Sequence, residues 1–144
     1  MTETVSIHYF AYGSNMDIGQ MQSRCPGAQL LGAAELAEHR FGINARGYAT
    51  VIPHAGQTVH GLVWAISESH RIRLDGYESV PHHYVRQTLA ICTADGQSRD
   101  MLIYVAVNAS PGAPQPGYLE KILAAAKHHR LPEPYVQSLA AWQR

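Results

Sequence analysis

Two short stretches hold the residue types and spacing that could do chemistry. The first is LDGYESVPHHY, Leu74 to Tyr84, in which Glu78 is hemmed by Leu74, Tyr77, Val80 and Tyr84. Apolar and aromatic neighbours disfavour the charged form of a carboxylate and raise its pKa. A glutamate raised toward neutrality can serve first as general base and then as general acid. The plain alternative is an exposed loop glutamate. The second stretch is Gly13-Ser14-Asn15, where the strand-like HYFAY stops and a helix begins. Free N–H groups at a helix start, beside a glycine that permits close approach, suit a carboxylate or phosphate. The plain alternative there is an N-cap supplied by Ser14 or Asn15.

Other chemistry finds less support. Ser14 stands at a sharp strand-to-helix turn, but AYGSNM is not G-x-S-x-G, and no His–acid pair can be placed beside it. The 9 histidines (His8, His39, His54, His60, His70, His82, His83, His128 and His129) form no HExxH, and no cysteine pair at ligand spacing joins them. The expectation is no metal and no cofactor. Cys25 and Cys92 are too few for a disulfide framework in a chain with a core of its own, and read as reduced thiols.

Composition narrows the partners. With 11 basic and 11 acidic residues, the formal net charge is zero with His neutral. Nucleic-acid binding draws most of its affinity from neutralising phosphates, so no nucleic-acid partner is expected. No apolar run approaches the ~18 residues of a membrane span. The start, MTETVSIHYF, lacks the basic and apolar regions of a signal peptide, so the expected location is cytoplasmic. At 144 residues, 46% apolar and 15% charged, the chain reads as one globular domain, 1–144.

The elements that must position these residues read as strands first and helices last. Val5 to Tyr12 is rich in β-formers and reads as a strand, followed by a short helix to about Arg24 with Asp17 in its first turn. Ala28 to Glu38 reads as a strand because Gly32 fits poorly inside a helix. Tyr48 to Ile52 and Thr58 to Ile66 read as two strands, separated by Pro53 to Gln57. Ser67 can cap a short helix through about Asp75. Tyr84 to Thr93 and Met101 to Val107 pair through the turn Ala94-Asp95-Gly96. Asn108 to Gly117 is a Pro/Gly-rich surface loop. Tyr118 to His129 is a helix with Leu119, Ile122, Leu123 and Ala126 at core spacing, and Glu133 to Trp142 is the last. This order implies an α+β fold with a mostly antiparallel sheet or barrel.

Taken in order along the chain, YFAYGSNM, HGLVWAIS, LDGYESVPHHYVR, LIYVAV and PQPGYLEKILAAAKHHRLPEPYV resemble the gamma-glutamylcyclotransferase family, from about His8 to about Trp142. The resemblance implies a small mixed β-barrel flanked by short helices. It implies Glu78 as the acid/base residue and Tyr12, Gly13, Ser14, Asn15 and Met16 as the substrate-binding loop, with Tyr84, Tyr104 and Tyr118 lining the pocket. Tyr104, inside an apolar strand, needs a hydrogen-bond partner, for which a ligand carboxylate or Glu78 is a candidate. Tyr118, after the Pro-rich loop, is placed to act from a movable lid. The implied partner is a small-molecule γ-glutamyl substrate that cyclises to 5-oxoproline and releases an amino acid or amine. A γ-glutamylamine substrate, a biosynthetic deprotection role, a non-catalytic anion-binding module and a homodimer all stay open. One departure is visible: Ser79 follows Glu78 where the family usually has glycine, which strains the chain if φ there is positive.

Overall fold

The computed structural model describes residues 4–142; Met1, Thr2, Glu3, Gln143 and Arg144 of the expected domain lie outside the described residues. Five strands, β1 (Ile7–Ala11), β2 (Gln29–Ile43), β3 (Ala49–Ile66), β4 (Tyr84–Thr93) and β5 (Ser98–Ala106), close into a barrel in the order β1-β3-β2-β4-β5. Every pairing is antiparallel except β1 with β5, which is parallel and pairs Tyr9 with Leu102. The helices α1 (Ile18–Arg24), α2 (Glu68–Tyr77), α3 (Tyr118–His128) and α4 (Glu133–Ala140) flank it. The α+β, mixed and mostly antiparallel barrel read from the sequence is the fold found.

Phe10, Leu36, Ile43, Leu62, Ile91 and Ile103 are among the fully buried side chains of the core. Gly61 marks its tightest point. A Cβ there would sit 2.4 Å from the Ala11 carbonyl oxygen, so only glycine lets β1 and β3 approach at this level. Leu119, Ile122, Leu123 and Ala126 of α3 are all buried, as their spacing implied.

The expected break at Pro53 to Gln57 does not divide β3. His39 pairs with Pro53 and Ala37 with Thr58, so four residues bulge out opposite Glu38 alone. Glu38 takes φ +60°, and its carboxylate accepts from Gly56 N–H at 2.9 Å, which holds the bulge together. Proline removes one ladder donor, and the bulge absorbs that loss without ending the strand. β2 likewise runs past Glu38 to Ile43, because its second half pairs with Ala49 to Ile52 across a turn built on Asn44. The Asn44 Oδ1 accepts from Arg46 N–H at 3.0 Å and Tyr48 N–H at 3.1 Å.

The Pro/Gly-rich loop is fastened to that same turn. Gly112 N–H donates to Ile43 O at 3.0 Å, Gln115 N–H to Gly47 O at 3.1 Å and Gln115 Nε2 to Arg46 O at 2.7 Å. Tyr118 thus opens α3 from a stapled segment, and a movable lid finds no support in these contacts. Among the described residues, no helix is long and apolar enough to cross a membrane.

Candidate functional site

One end of the barrel opens into a cavity of about 260 Å³. Its wall gathers the end of β1, the loop after it, α1, the Asn44 turn, the end of α2 and the start of α3. Glu78 enters from α2. Leu74 is wholly buried and Asp75 is tied to β5, which fixes the rotation of the helix. Glu78, three and four residues further on, falls on the same face as these two anchors. Its N–H closes the helix on Leu74 O at 2.8 Å. The next residue, Ser79, takes φ +53°, the left-handed region that favours glycine.

Glu78 is half-buried, and among the described residues no donor hydrogen-bonds its carboxylate. Burial pushes its pKa up to about 7, with the Arg24 guanidinium pulling in the opposite sense. Near neutral pH such a group is shared between its two protonation states, and can both take and return a proton. Tyr9, Tyr12, Tyr84, Tyr104 and Tyr118 all have pKa values raised by burial, so their hydroxyls stay protonated. They are hydrogen-bonding groups here and not bases.

The loop opposite Glu78 differs from a simple helix start. A 3-10 turn, Ser14–Met16, intervenes, and α1 is capped by Asp17, whose Oδ2 accepts from Gln20 N–H at 2.8 Å. Neither Ser14 nor Asn15 is the cap expected from the sequence, because both side chains are engaged elsewhere. Gln20 Nε2 donates to Ser14 Oγ at 2.6 Å and to Asn15 Oδ1 at 3.0 Å. Asn15 Oδ1 also accepts from Arg24 at 3.2 Å, and Asn15 Nδ2 donates to the Tyr9 hydroxyl at 3.0 Å. Trp64 Nε1 donates to Asn15 O at 3.0 Å. Among the described residues, no acceptor is paired with the backbone N–H of Gly13, Ser14 or Asn15. The loop is held rigid by its side chains while its amides stay available.

With this geometry in view, the comparisons with known proteins are decisive. A family model described as the AIG2-like family matches residues 58–139. The gamma-glutamylcyclotransferase of Mus musculus is 31% identical, over 92% of this chain and 77% of that protein. The chain belongs to the gamma-glutamylcyclotransferase family. The Homo sapiens gamma-glutamylcyclotransferase is also 31% identical, over 94% of this chain and 78% of that protein. A solved structure titled gamma-glutamyl cyclotransferase superposes with a TM-score of 0.87 at 29% identity, covering 94% of this chain and 86% of that one.

The cavity of this gamma-glutamylcyclotransferase family member brings together Tyr12, Gly13, Ser14, Asn15, Glu78, Tyr84, Tyr104 and Tyr118. Met16 is left out. Its side chain is fully buried and its N–H is bonded to Gly13 O at 3.1 Å, so it anchors the loop from behind. The Tyr104 hydroxyl donates to Asp75 Oδ1 at 2.7 Å and not to Glu78. Tyr84 donates to Ala49 O at 2.6 Å, and Tyr118 accepts from Ala49 N–H at 3.0 Å. The Ser14 hydroxyl meets Gln20 and no imidazole. Among the described residues, no three His, Cys, Asp or Glu side chains gather into a metal-ligating group. The sequence reading missed Tyr9, Gln20, Arg24 and Arg46 on the cavity wall. Tyr9 had a local signal, since the YFAY run places it on the strand that leads into the loop. Arg24 and Arg46 had none.

Proposed function

We propose that the chain catalyses the gamma-glutamylcyclotransferase reaction with Glu78 as its single acid/base group. The α-amine of a γ-glutamyl unit attacks its own γ-amide carbonyl, forming the ring N–C bond. Glu78 takes the proton that the attacking nitrogen loses. The old amide C–N bond breaks, and Glu78 returns the proton to the leaving nitrogen. The products are 5-oxoproline and a free amino acid or amine. Nucleophile and electrophile belong to one molecule, so the protein has mainly to hold a folded substrate conformer and move one proton.

The observation that carries this reading is a half-buried carboxylate with a pKa of about 7, open to a cavity and with no hydrogen-bond donor among the described residues. The unpaired N–H groups of Gly13, Ser14 and Asn15 support a role for the loop in holding the α-carboxylate, with Arg24 adding a positive charge. Cys25 and Cys92 are both free thiols, which supports the cytoplasm as the working compartment. The test is Glu78→Gln, which keeps shape and removes the base. Turnover of γ-glutamyl substrates should fall ~10²–10⁴-fold, as for loss of a general base. A folded variant that keeps activity within a factor of a few would refute the assignment.

A further inference from the structure

The cavity's tyrosines differ in what their hydroxyls have left to offer a ligand. Tyr104 is almost fully buried, and its hydroxyl faces Asp75 Oδ1 at 2.7 Å. Asp75 is also bound by Arg71 Nη1 at 3.0 Å and by Arg86 Nε at 3.3 Å. With two guanidinium groups directed at the same carboxylate, Asp75 is the acceptor and Tyr104 the donor of their bond. The Arg71 carbonyl, 3.5 Å from the same hydroxyl, is a second acceptor on that side. A phenol has one proton, and here it points away from the cavity. The Tyr104 oxygen therefore offers the cavity lone pairs alone, and among the described residues no donor reaches it. Glu78, three residues beyond Asp75 at the C-cap of α2, is a second acceptor with no donor among the described residues.

Two other cavity tyrosines have the reverse polarity. Tyr118 accepts from Ala49 N–H and Tyr9 accepts from Asn15 Nδ2, so each keeps its own proton to give. A Cβ on Gly13 would lie 3.3 Å from the Tyr118 hydroxyl oxygen, so that hydroxyl sits against the loop with the unpaired amides. Arg24 also lines the cavity. The cavity thus offers acceptors and donors side by side, with Tyr9 packed edge-on against Tyr104 at 5.8 Å between ring centroids, which suits a group carrying both an ammonium and a carboxylate.

We propose that Asp75 is a positioning residue: by holding the Tyr104 proton, it makes the Tyr104 oxygen and the Glu78 carboxylate an acceptor pair for the α-amino group of the substrate. The identity of that ligand rests on the cyclotransferase reading above. Asp75 touches no substrate atom and acts through Tyr104. A merely structural Asp75 would tie α2 to β4 and β5 and leave ligand selectivity alone. In Asp75→Asn, Arg71 and Arg86 compete for the one remaining oxygen. The amide NH₂ then turns toward Tyr104 or leaves its proton free to rotate into the cavity.

The test is calorimetric binding of two probes, L-glutamine and glutaramate. Glutaramate is the same chain with hydrogen in place of the α-amino group. The wild-type protein should prefer L-glutamine by ~10-fold or more, the scale of a hydrogen bond to a charged group. Tyr104→Phe and Asp75→Asn should each bring that ratio to within a few-fold of one while glutaramate affinity holds. The double variant should be no worse than Tyr104→Phe alone, because the two residues act as one unit. Asp75→Ala is the second variant should Asp75→Asn not fold. A folded Asp75 variant with the wild-type ratio would overturn the proposal, as would Tyr104→Phe with that ratio. Equal wild-type binding of both probes sinks this inference and leaves the cyclotransferase reading standing. Binding of neither probe counts against both.

Discussion

The environment that suits Glu78 to the proposed role of base should also make it a liability to the fold, and Glu78→Gln should reveal this. The pKa of Glu78 rises from the ordinary 4.5 to about 7 in the folded protein. Below about 4.5 the carboxyl is protonated in folded and unfolded chains alike, and costs nothing. Between 4.5 and 7 the unfolded chain releases the proton while the folded chain keeps it, so stability falls as pH rises. Above 7 the folded chain carries a desolvated anion at full cost. At 1.36 kcal/mol per pKa unit, that cost has a ceiling of ~3.4 kcal/mol. Contact with solvent through the cavity reduces it, to about 2 kcal/mol. Gln carries no charge at any pH, so Glu78→Gln should gain about that much stability at pH 8 relative to its effect at pH 4.5. For a chain of this size the gain corresponds to a Tm shift of roughly 5–8 °C. Urea unfolding of both proteins at the two pH values reads it directly. Any cost of burying the new amide is independent of pH and cancels in the difference. An effect of Glu78→Gln equal at pH 4.5 and pH 8 would refute the claim that burial raises this carboxyl.

Three further outcomes follow from the same geometry. The kcat/KM of the wild-type protein should climb as pH rises through about 7, because Glu78 must be ionised to take the amine proton, and a flat profile from pH 5 to 8 would contradict this. Gly13→Ala places a Cβ 3.3 Å from the Tyr118 hydroxyl and 3.5 Å from the Ala49 Cβ, so it should fold normally yet bind 5-oxoproline ~10-fold more weakly, as expected when a hydrogen bond to a charged group is lost. Ser79→Gly relieves a residue held at φ +53° and should stabilise the protein by about 0.5–1 kcal/mol, read from its urea midpoint, with no loss of activity.

What the sequence showed and what it hid divide along a physical line. Glu78 was legible because its apolar neighbours Leu74, Tyr77, Val80 and Tyr84 are local. The Gly13 loop was legible because an apolar strand ends there abruptly. The substitution at Ser79 was legible as a strained position, and φ +53° bears that out. The N-cap of α1 was not legible: Ser14, Asn15 and Asp17 are all competent caps, and the choice was made by Tyr9, Gln20 and Arg24 claiming the Asn15 side chain. The partner of Tyr104 was hidden for a similar reason, since Asp75 lies 29 residues away and meets it only when the barrel closes. Pro53 read as a break because a proline removes a ladder donor, but a bulge opposite Glu38 accommodates it inside one long strand.

The central claim is that Glu78 moves a proton within an intramolecular cyclisation, so the most direct measurement is the identity of the product. The purified protein should be incubated with a panel of γ-glutamyl dipeptides and γ-glutamylamines in ¹⁸O-water and analysed by mass spectrometry. The account predicts 5-oxoproline without ¹⁸O, released in equal amount with the free amino acid or amine, and formed ~10²–10⁴-fold more slowly by Glu78→Gln. Glutamate carrying ¹⁸O would show hydrolysis by water and contradict it, as would a folded Glu78→Gln variant whose turnover stays within a factor of a few of wild type.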